Sequence, residues 1–238
     1  MMNKTAVVTG AGQGLGFSLV KEALKRKYNV LALELSNFTE LNKLHNDNLT
    51  VKKCDVTDYN DCVAAANALQ SDTVDLLVNN AGIWLDSDRL KLDDKDFDFE
   101  KFIPQYEVNS VGMLKAAKAF MPYVEVSNLK TVINISSEAG SIENAWRVCE
   151  YGYCMSKAAQ NMASKLLQNS YADKGVKVYS VHPGWMITPQ GLAGKSGENA
   201  PKQEPDKTAF VLFNLAEGER RKETFIEIDG ENLSPLPY

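Results

Sequence analysis

"TAVVTGAGQGLGFSLVKEALKRKY", residues 5–28, decides the fold. A short β-rich run (5–10) ends in glycine, "TGAGQGLG" (9–16) follows at once, and a segment of helical apolar spacing (16–28) comes next, with Phe17, Leu19, Val20, Ala23 and Leu24 supplying one broad face. Glycines at 10, 14 and 16 let the backbone turn tightly and come close to a ligand. The helix start behind them offers unpaired N–H groups and a positive dipole end to a pyrophosphate. A lone glycine pattern is weak evidence, but strand–turn–helix context strengthens it. The competing reading is a tight turn without a ligand. A P-loop is excluded, because no GK[ST] follows. Gly10, Gln13, Gly14, Leu15 and Gly16 are therefore candidate cofactor contacts.

Outward from this unit the alternation continues. "NVLALEL" (29–35), "LTVKKCDV" (49–56), "TVDLLVNNAG" (73–82), "LKTVINISS" (129–137), "GVKVYSVHPG" (175–184) and "TFIEIDG" (224–230) read as strands, and "DYNDCVAAANALQ" (58–70) as a helix opened by a capping Asp. About seven strands alternating with helices predict a single-domain α/β fold over 1–238, a Rossmann-type doubly wound parallel sheet covered on both faces. Two stretches break the rhythm. The acidic "LDSDRLKLDDKDFDFEKF" (85–102) reads as a solvated connection before a helix, and the Gly/Pro-rich "TPQGLAGKSGENAPKQEPD" (188–206) as an irregular loop beside a strand end, with an apolar component in Met186, Ile187 and Leu192 that suits a substrate loop.

Composition narrows the function classes. The chain has 238 residues, 44% hydrophobic and 24% charged, ordinary for a globular protein with one core. A net charge of −5 and scattered lysines argue against nucleic acid, and no apolar run approaches the ~20 residues of a membrane span. Cys54, Cys62, Cys149 and Cys154 form no CxxC and only two histidines exist, so no metal site or disulfide framework is expected. No signal peptide is read ahead of the first strand, and a reduced cytoplasm is the expected compartment.

Glu34 stands 18 residues after Gly16, where the second strand should present a group to the adenosine ribose. A carboxylate there accepts hydrogen bonds from ribose hydroxyls and repels a 2′-phosphate. Two like charges ~4 Å apart cost about 1 kcal/mol in water and about 4 kcal/mol at the dielectric of a partly buried site. Neither Leu35 nor Gln13 offers a cation, so NAD is favoured and NADP remains possible. The alternative is a solvated strand end.

"CEYGYCMSKA" (149–158) carries the chemistry. On a helix starting near 151, Tyr153 and Lys157 lie one turn apart on one face, whereas Tyr151 has Met155 at that offset and packs or lines the pocket entrance. A phenol near pKa 10 exchanges protons poorly at neutral pH, and a lysine cation beside it would lower that value toward useful general acid–base work. Tyr-x-x-x-Lys alone is weak. It gains weight because the ends of four other strands, at "NNAG", "NISS", "HPG" and the glycine loop, carry glycines or small polar residues where ligands of such sheets bind.

TGAGQGLG, NNAG, NISS, YCMSK and HPG occur in the order and approximate spacing of the short-chain dehydrogenase/reductases of the compact type, over nearly the whole chain. "QYEVNSVG", "INISSEAGSI", "YGYCMSKAA", "HPGWMIT" and the tail "IEIDGENLSPLPY" most resemble sniffer-type carbonyl reductases and their C-factor-like relatives. The resemblance implies an NAD(P)-dependent oxidoreductase acting on a small carbonyl or alcohol. In it Tyr153 is the acid/base, and Lys157 lowers its pKa and bonds the nicotinamide ribose. Ser137 holds the substrate oxygen, and Asn109 holds a relay water near the lysine. It further implies adenine contacts from Asp55 and Val56, a cleft lined by Asn80, Ala81 and Gly82, and Pro183, Gly184 and Thr188 beside the nicotinamide. A homodimer or homotetramer built on helices 101–121 and 151–171 is expected by the same analogy.

Two departures stand out. The 16-residue step from Ser137 to Tyr153 is longer than the resembled family commonly has, through "ENAWRV" (143–148); Trp146 and Arg147 either touch the substrate or belong to a packed surface loop. Glu34–Leu35 replace the arginine that many NADPH-using members carry there. A catalytically silent NAD(P)-binding regulator of the same fold would have damaged the Ser/Tyr/Lys set, which is intact. A sugar-nucleotide epimerase or dehydratase would need a longer C-terminal substrate domain and a different glycine spacing.

Overall fold

In a computed structural model, which describes residues 4–194 and 200–238, β1 (Thr5–Thr9) lies mid-sheet, fully buried. Its side chains alternate: Ala6 and Val8 enter one apolar layer and Val7 the other, and β2 (Asn29–Glu34) and β4 (Leu76–Asn79) repeat the alternation beside it. With β3 (Leu49–Lys53), β5 (Thr131–Ile135), β6 (Lys177–His182), β7 (Phe225–Asp229) and β8 (Asn232–Pro235) the order is β3-β2-β1-β4-β5-β6-β7-β8. Every pairing is parallel except β7 with β8. The chain crosses over between β1 and β4, and that crossing opens a crevice at the strands' C-terminal ends.

One layer is closed by α1 (Gly14–Lys25) and α7 (Pro205–Glu217), with Leu19, Val20, Tyr28 and Phe213 at its centre. The other is closed by α2 (Tyr59–Asn67) and α4 (Met113–Glu125), through Cys62, Ala65, Phe120 and Val124. Asp58 caps α2 as its position suggests, accepting Asn60 N at 2.8 Å. α3 (Phe102–Tyr106) runs into α4 through a widened π-type turn, Glu107–Gly112. α5 (Tyr151–Tyr171) packs on α3 and on that turn, and α6 (Pro189–Ala193) is one short turn. No helix among the described residues is long and apolar enough to cross a membrane.

Two expectations are corrected. The first helix spans 14–25 rather than 16–28, because Lys27 takes a left-handed φ of 63° and ends it. The stretch 188–206 is not irregular throughout: Thr188 caps α6 by accepting Gly191 N at 3.1 Å. Residues 195–199 of that expected substrate loop lie outside the described residues. Beside the seven expected parallel strands, the described residues add an eighth, an exposed antiparallel hairpin partner turned through Gly230 (φ 61°).

Candidate active site

The crevice is a cleft of about 730 Å³. Its first wall is the glycine loop. Gly10 has φ 61°, and a Cβ there would stand 2.8 Å from Ala81 Cα, so the loop and the fourth strand end touch backbone to backbone. Thr9 Oγ1 accepts the N–H groups of Asn80 and Ala81, and Asn80 Nδ2 donates to Thr9 O and Gly10 O at 3.0 and 2.9 Å. Gly10, Gln13, Gly14, Leu15 and Gly16 line this wall, with Asn80, Ala81 and Gly82 beside them. Thr188 leans on Gly14 from across the cleft.

Glu34 lines the same end. Its Oε2 accepts Gly12 N at 2.8 Å, and its Oε1 accepts the N–H groups of Leu35, Ser36 and Asn37 at 3.0 to 3.2 Å. Successive backbone N–H groups of this kind make an anion-binding concavity, and the carboxylate fills it. Val56 lines the cleft but Asp55 does not: its carboxylate is taken up by Thr57 N and Thr57 Oγ1 at 2.8 and 2.7 Å. Both bonds fall on Oδ1, and the adenine contact expected of Asp55 and Val56 remains an expectation.

At the other end the two serines part. Ser136 spends its hydroxyl on Asn161 Oδ1 at 2.6 Å, while Ser137 reaches Glu138 and lines the cleft. Tyr153, Lys157, Pro183 and Gly184 line it too. Lys157 Nζ stands 5.7 Å from the Tyr153 ring centroid and donates to Ile135 O at 3.0 Å and Gln160 Oε1 at 2.8 Å. Asn109 sits behind, fully buried in the π-type turn, and clasps Ile83 with bonds of 2.8 and 2.9 Å and Ser156 Oγ at 2.9 Å. A Cβ on Gly82 would lie 3.2 Å from Asn109 Oδ1 and 3.7 Å from Lys157 Nζ, so the two meet across that glycine. Tyr151 packs edge-on against Phe97 at 5.8 Å, outside this group.

Burial dominates the electrostatics of both groups. Burial pushes the Tyr153 phenol up, and the charge of Glu138 adds to it, against the pull of Ser137 and Arg147. Burial also pushes Lys157 down to about 7.

A model of the short chain dehydrogenase family matches residues 4–197. The chain belongs to the short-chain dehydrogenase family. It is 29% identical over 224 residues to the oxidoreductase UcpA of Salmonella typhimurium, covering 91% of this chain and 80% of that one. The NADPH-bound carbonyl reductase from chicken fatty liver superposes with a TM-score of 0.84 at 26% identity, covering 99% of this chain and 95% of that one. Carbonyl reductase Sniffer of Drosophila melanogaster, at 24% identity with full coverage of both chains and a TM-score of 0.83, shares the fold. This dehydrogenase is thus an oxidoreductase of the kind that passes a hydride between a nicotinamide cofactor and a carbonyl or alcohol carbon.

Around the cleft of the dehydrogenase, Trp84, Arg89 and Gly194 carried no sequence signal. Trp84 stacks on Tyr153 with ring centroids 5.3 Å apart, and Gly194 lies so close to the Trp84 ring that a Cβ would approach to 2.3 Å. Arg89 Nη2 donates to Gly194 O at 3.1 Å, tying the end of α6 over the cleft. Arg147, in the long Ser137–Tyr153 step, pairs with both Glu138 and Glu150. Burial would raise the Glu138 carboxyl, but the charges of His182 and Arg147 and bonds from Ser137 and Arg147 hold it at about 2.

Proposed function

We propose that this dehydrogenase is an NAD-preferring carbonyl/alcohol oxidoreductase in which Ser137, Tyr153 and Lys157 do the proton chemistry. The observation that carries the reading is the convergence of these three side chains on one cleft with the glycine loop and Glu34. The bound cofactor supplies or accepts the hydride at its nicotinamide carbon. Around it, Ser137 and Tyr153 hold the substrate oxygen, and Tyr153 gives that oxygen a proton in reduction or takes it in oxidation. Lys157 has one N–H left beyond Ile135 and Gln160 for a ribose hydroxyl. Asn109 holds the strand end against α5 and faces the lysine across Gly82. Placing reactants and proton donor together supplies much of the rate.

Glu34 supports NAD. A 2′-phosphate would meet a carboxylate already seated in the four N–H groups that could otherwise have received it. The chicken liver enzyme is NADPH-bound, so cofactor choice is where this chain parts from that relative. Fluorescence titration with NADH and NADPH tests it: NADH binds tighter, and Glu34→Ala narrows the gap. An unchanged ratio would show that Glu34 does not read the ribose. Turnover of a panel of small carbonyl compounds, lost in Ser137→Ala, tests the chemistry.

A dimer also fits the surface. Met155, Met162 and Leu166 stand 61%, 62% and 57% exposed along α5, beside the exposed Ile103 and Tyr106 of α3 and Leu114 of α4. An apolar stripe of that extent suits a second copy of the chain.

A further inference from the structure

The Ser137 hydroxyl donates to Glu138 Oε2 at 2.6 Å and accepts from Ala139 N at 3.1 Å. A hydroxyl has one hydrogen and two lone pairs, so Glu138 shares the single Ser137 hydrogen with the Tyr153 oxygen, which Ser137 also reaches. Glu138 is itself held by Arg147 and faces His182 Nδ1 at 3.5 Å. Arg147 continues to the buried carboxylate of Glu150, which sits in a left-handed conformation (φ 62°) at the start of α5. Arg89 Nε lies 3.3 Å from that same carboxylate. Glu138, Arg147 and His182 line the same cleft as Tyr153.

We propose that Glu138 is a positioning residue that fixes the Ser137 hydroxyl through a permanent negative charge, and that Arg147, delivered by the long 143–148 segment, balances that charge beside Tyr153. This rests on reading Ser137 and Tyr153 as the reacting hydroxyls. The groups that face Tyr153 are few. Lys157 and Cys154 lie on its own helix, Ser137 and Glu138 follow β5, and His182 ends β6. Arg147 and Glu150 come from the preceding segment, and Asp86, which accepts Tyr153 N at 3.2 Å, comes from the chain after β4. Among them Glu138 opposes ionisation of the phenol and Arg147 favours it. A carboxylate held near 2 keeps its charge at every working pH. Glu138 therefore acts as a fixed field and not as a proton store, and the arginine keeps that field from pushing the tyrosine out of range.

Two substitutions separate charge from shape. Glu138→Gln keeps an oxygen for the Ser137 hydroxyl and removes the charge; Arg147→Gln removes the counter-ion. The readout is the near-ultraviolet phenolate absorbance against pH in protein saturated with NAD+, taken as each protein minus its Tyr153→Phe counterpart, which needs no substrate. E138Q moves the Tyr153 midpoint down by roughly one pH unit, R147Q moves it up by a similar amount, and R147K keeps it in place. Cofactor fluorescence checks that each variant is folded. If E138Q does not fold, the contrast between R147Q and R147K carries the test alone. A midpoint unmoved in E138Q and R147Q overturns the inference while leaving the catalytic reading intact. Wild-type turnover by Tyr153→Phe removes the catalytic reading itself.

Discussion

The ammonium of Lys157 lies under the floor of the cleft, 4% exposed, with Ile135 O and Gln160 Oε1 as its acceptors and no carboxylate among the described residues paired to it. Burial lowers its pKa from 10.5 to about 7. Between about pH 7 and 10.5 the unfolded chain holds a proton that the folded protein has released, so stability rises with pH across that window, and below it the folded protein bears the whole cost. Urea unfolding should therefore give a higher midpoint at pH 9 than at pH 7, and Lys157→Met should flatten that slope; an equal slope in the variant would show that Lys157 is not its source. Glu138 is also shifted down, so stability again rises with pH, here because its charged form is the stabilised one. Its carboxyl falls from 4.5 to about 2, so its stabilisation is present above 4.5 and is lost as pH drops toward 2, and E138Q should soften acid unfolding in that range. At this scale the sequence was legible where chemistry is local: the four-residue offset of Tyr153 and Lys157 separates them from Tyr151, which packs on Phe97. It was not legible for the tyrosine's titration, which depends on Glu138 and Arg147 arriving from outside its helix.

α5 begins without a cap of its own. Glu150 at its N-cap position makes no side-chain bond to the helix, and the N–H of Tyr153 is met by Asp86, 67 residues earlier in the chain. Asp86→Ala strands that donor at a cost of about 1 kcal/mol, equivalent to a fall of about 2–4 °C in the thermal midpoint for a chain of this size. An unchanged midpoint would mean that the cap contributes nothing. Because Asp86 lies between Trp84 and Arg89, the acidic stretch 85–102 is more than a solvated connection: its first residues hold the start of α5. Spacing rules find caps next to the helix they cap, and this one is joined only by the fold. The exposed stripe on α5 gives a second test at this scale. Met162→Glu should convert a dimer to a monomer in light scattering, and a wild-type mass for the variant would place any interface elsewhere.

Across the whole molecule, what the sequence displayed was the inner sheet. Strands β1, β2, β4, β5 and β6 have buried interiors, and their runs end in the glycines, asparagines and serines that build the cleft. The edge was hidden: β8, "NLSP", is short and exposed, with a proline, and has no apolar alternation to betray it. Part of the cleft's far wall was equally hidden, since Trp84 and Arg89 line it, and Gly194 closes on Trp84, only once the sheet is wound, whereas Arg147 and His182 lie in segments that the motifs already singled out. The central claim is that this convergence gives Tyr153 a proton to move. The most direct measurement is pre-steady-state NADH oxidation by wild type and Tyr153→Phe with the best carbonyl substrate of the panel, beside an NADH binding titration. Loss of hydride transfer by about 10²-fold or more, with NADH affinity unchanged, is the predicted result; a Tyr153→Phe protein that oxidises NADH at the wild-type rate would contradict it.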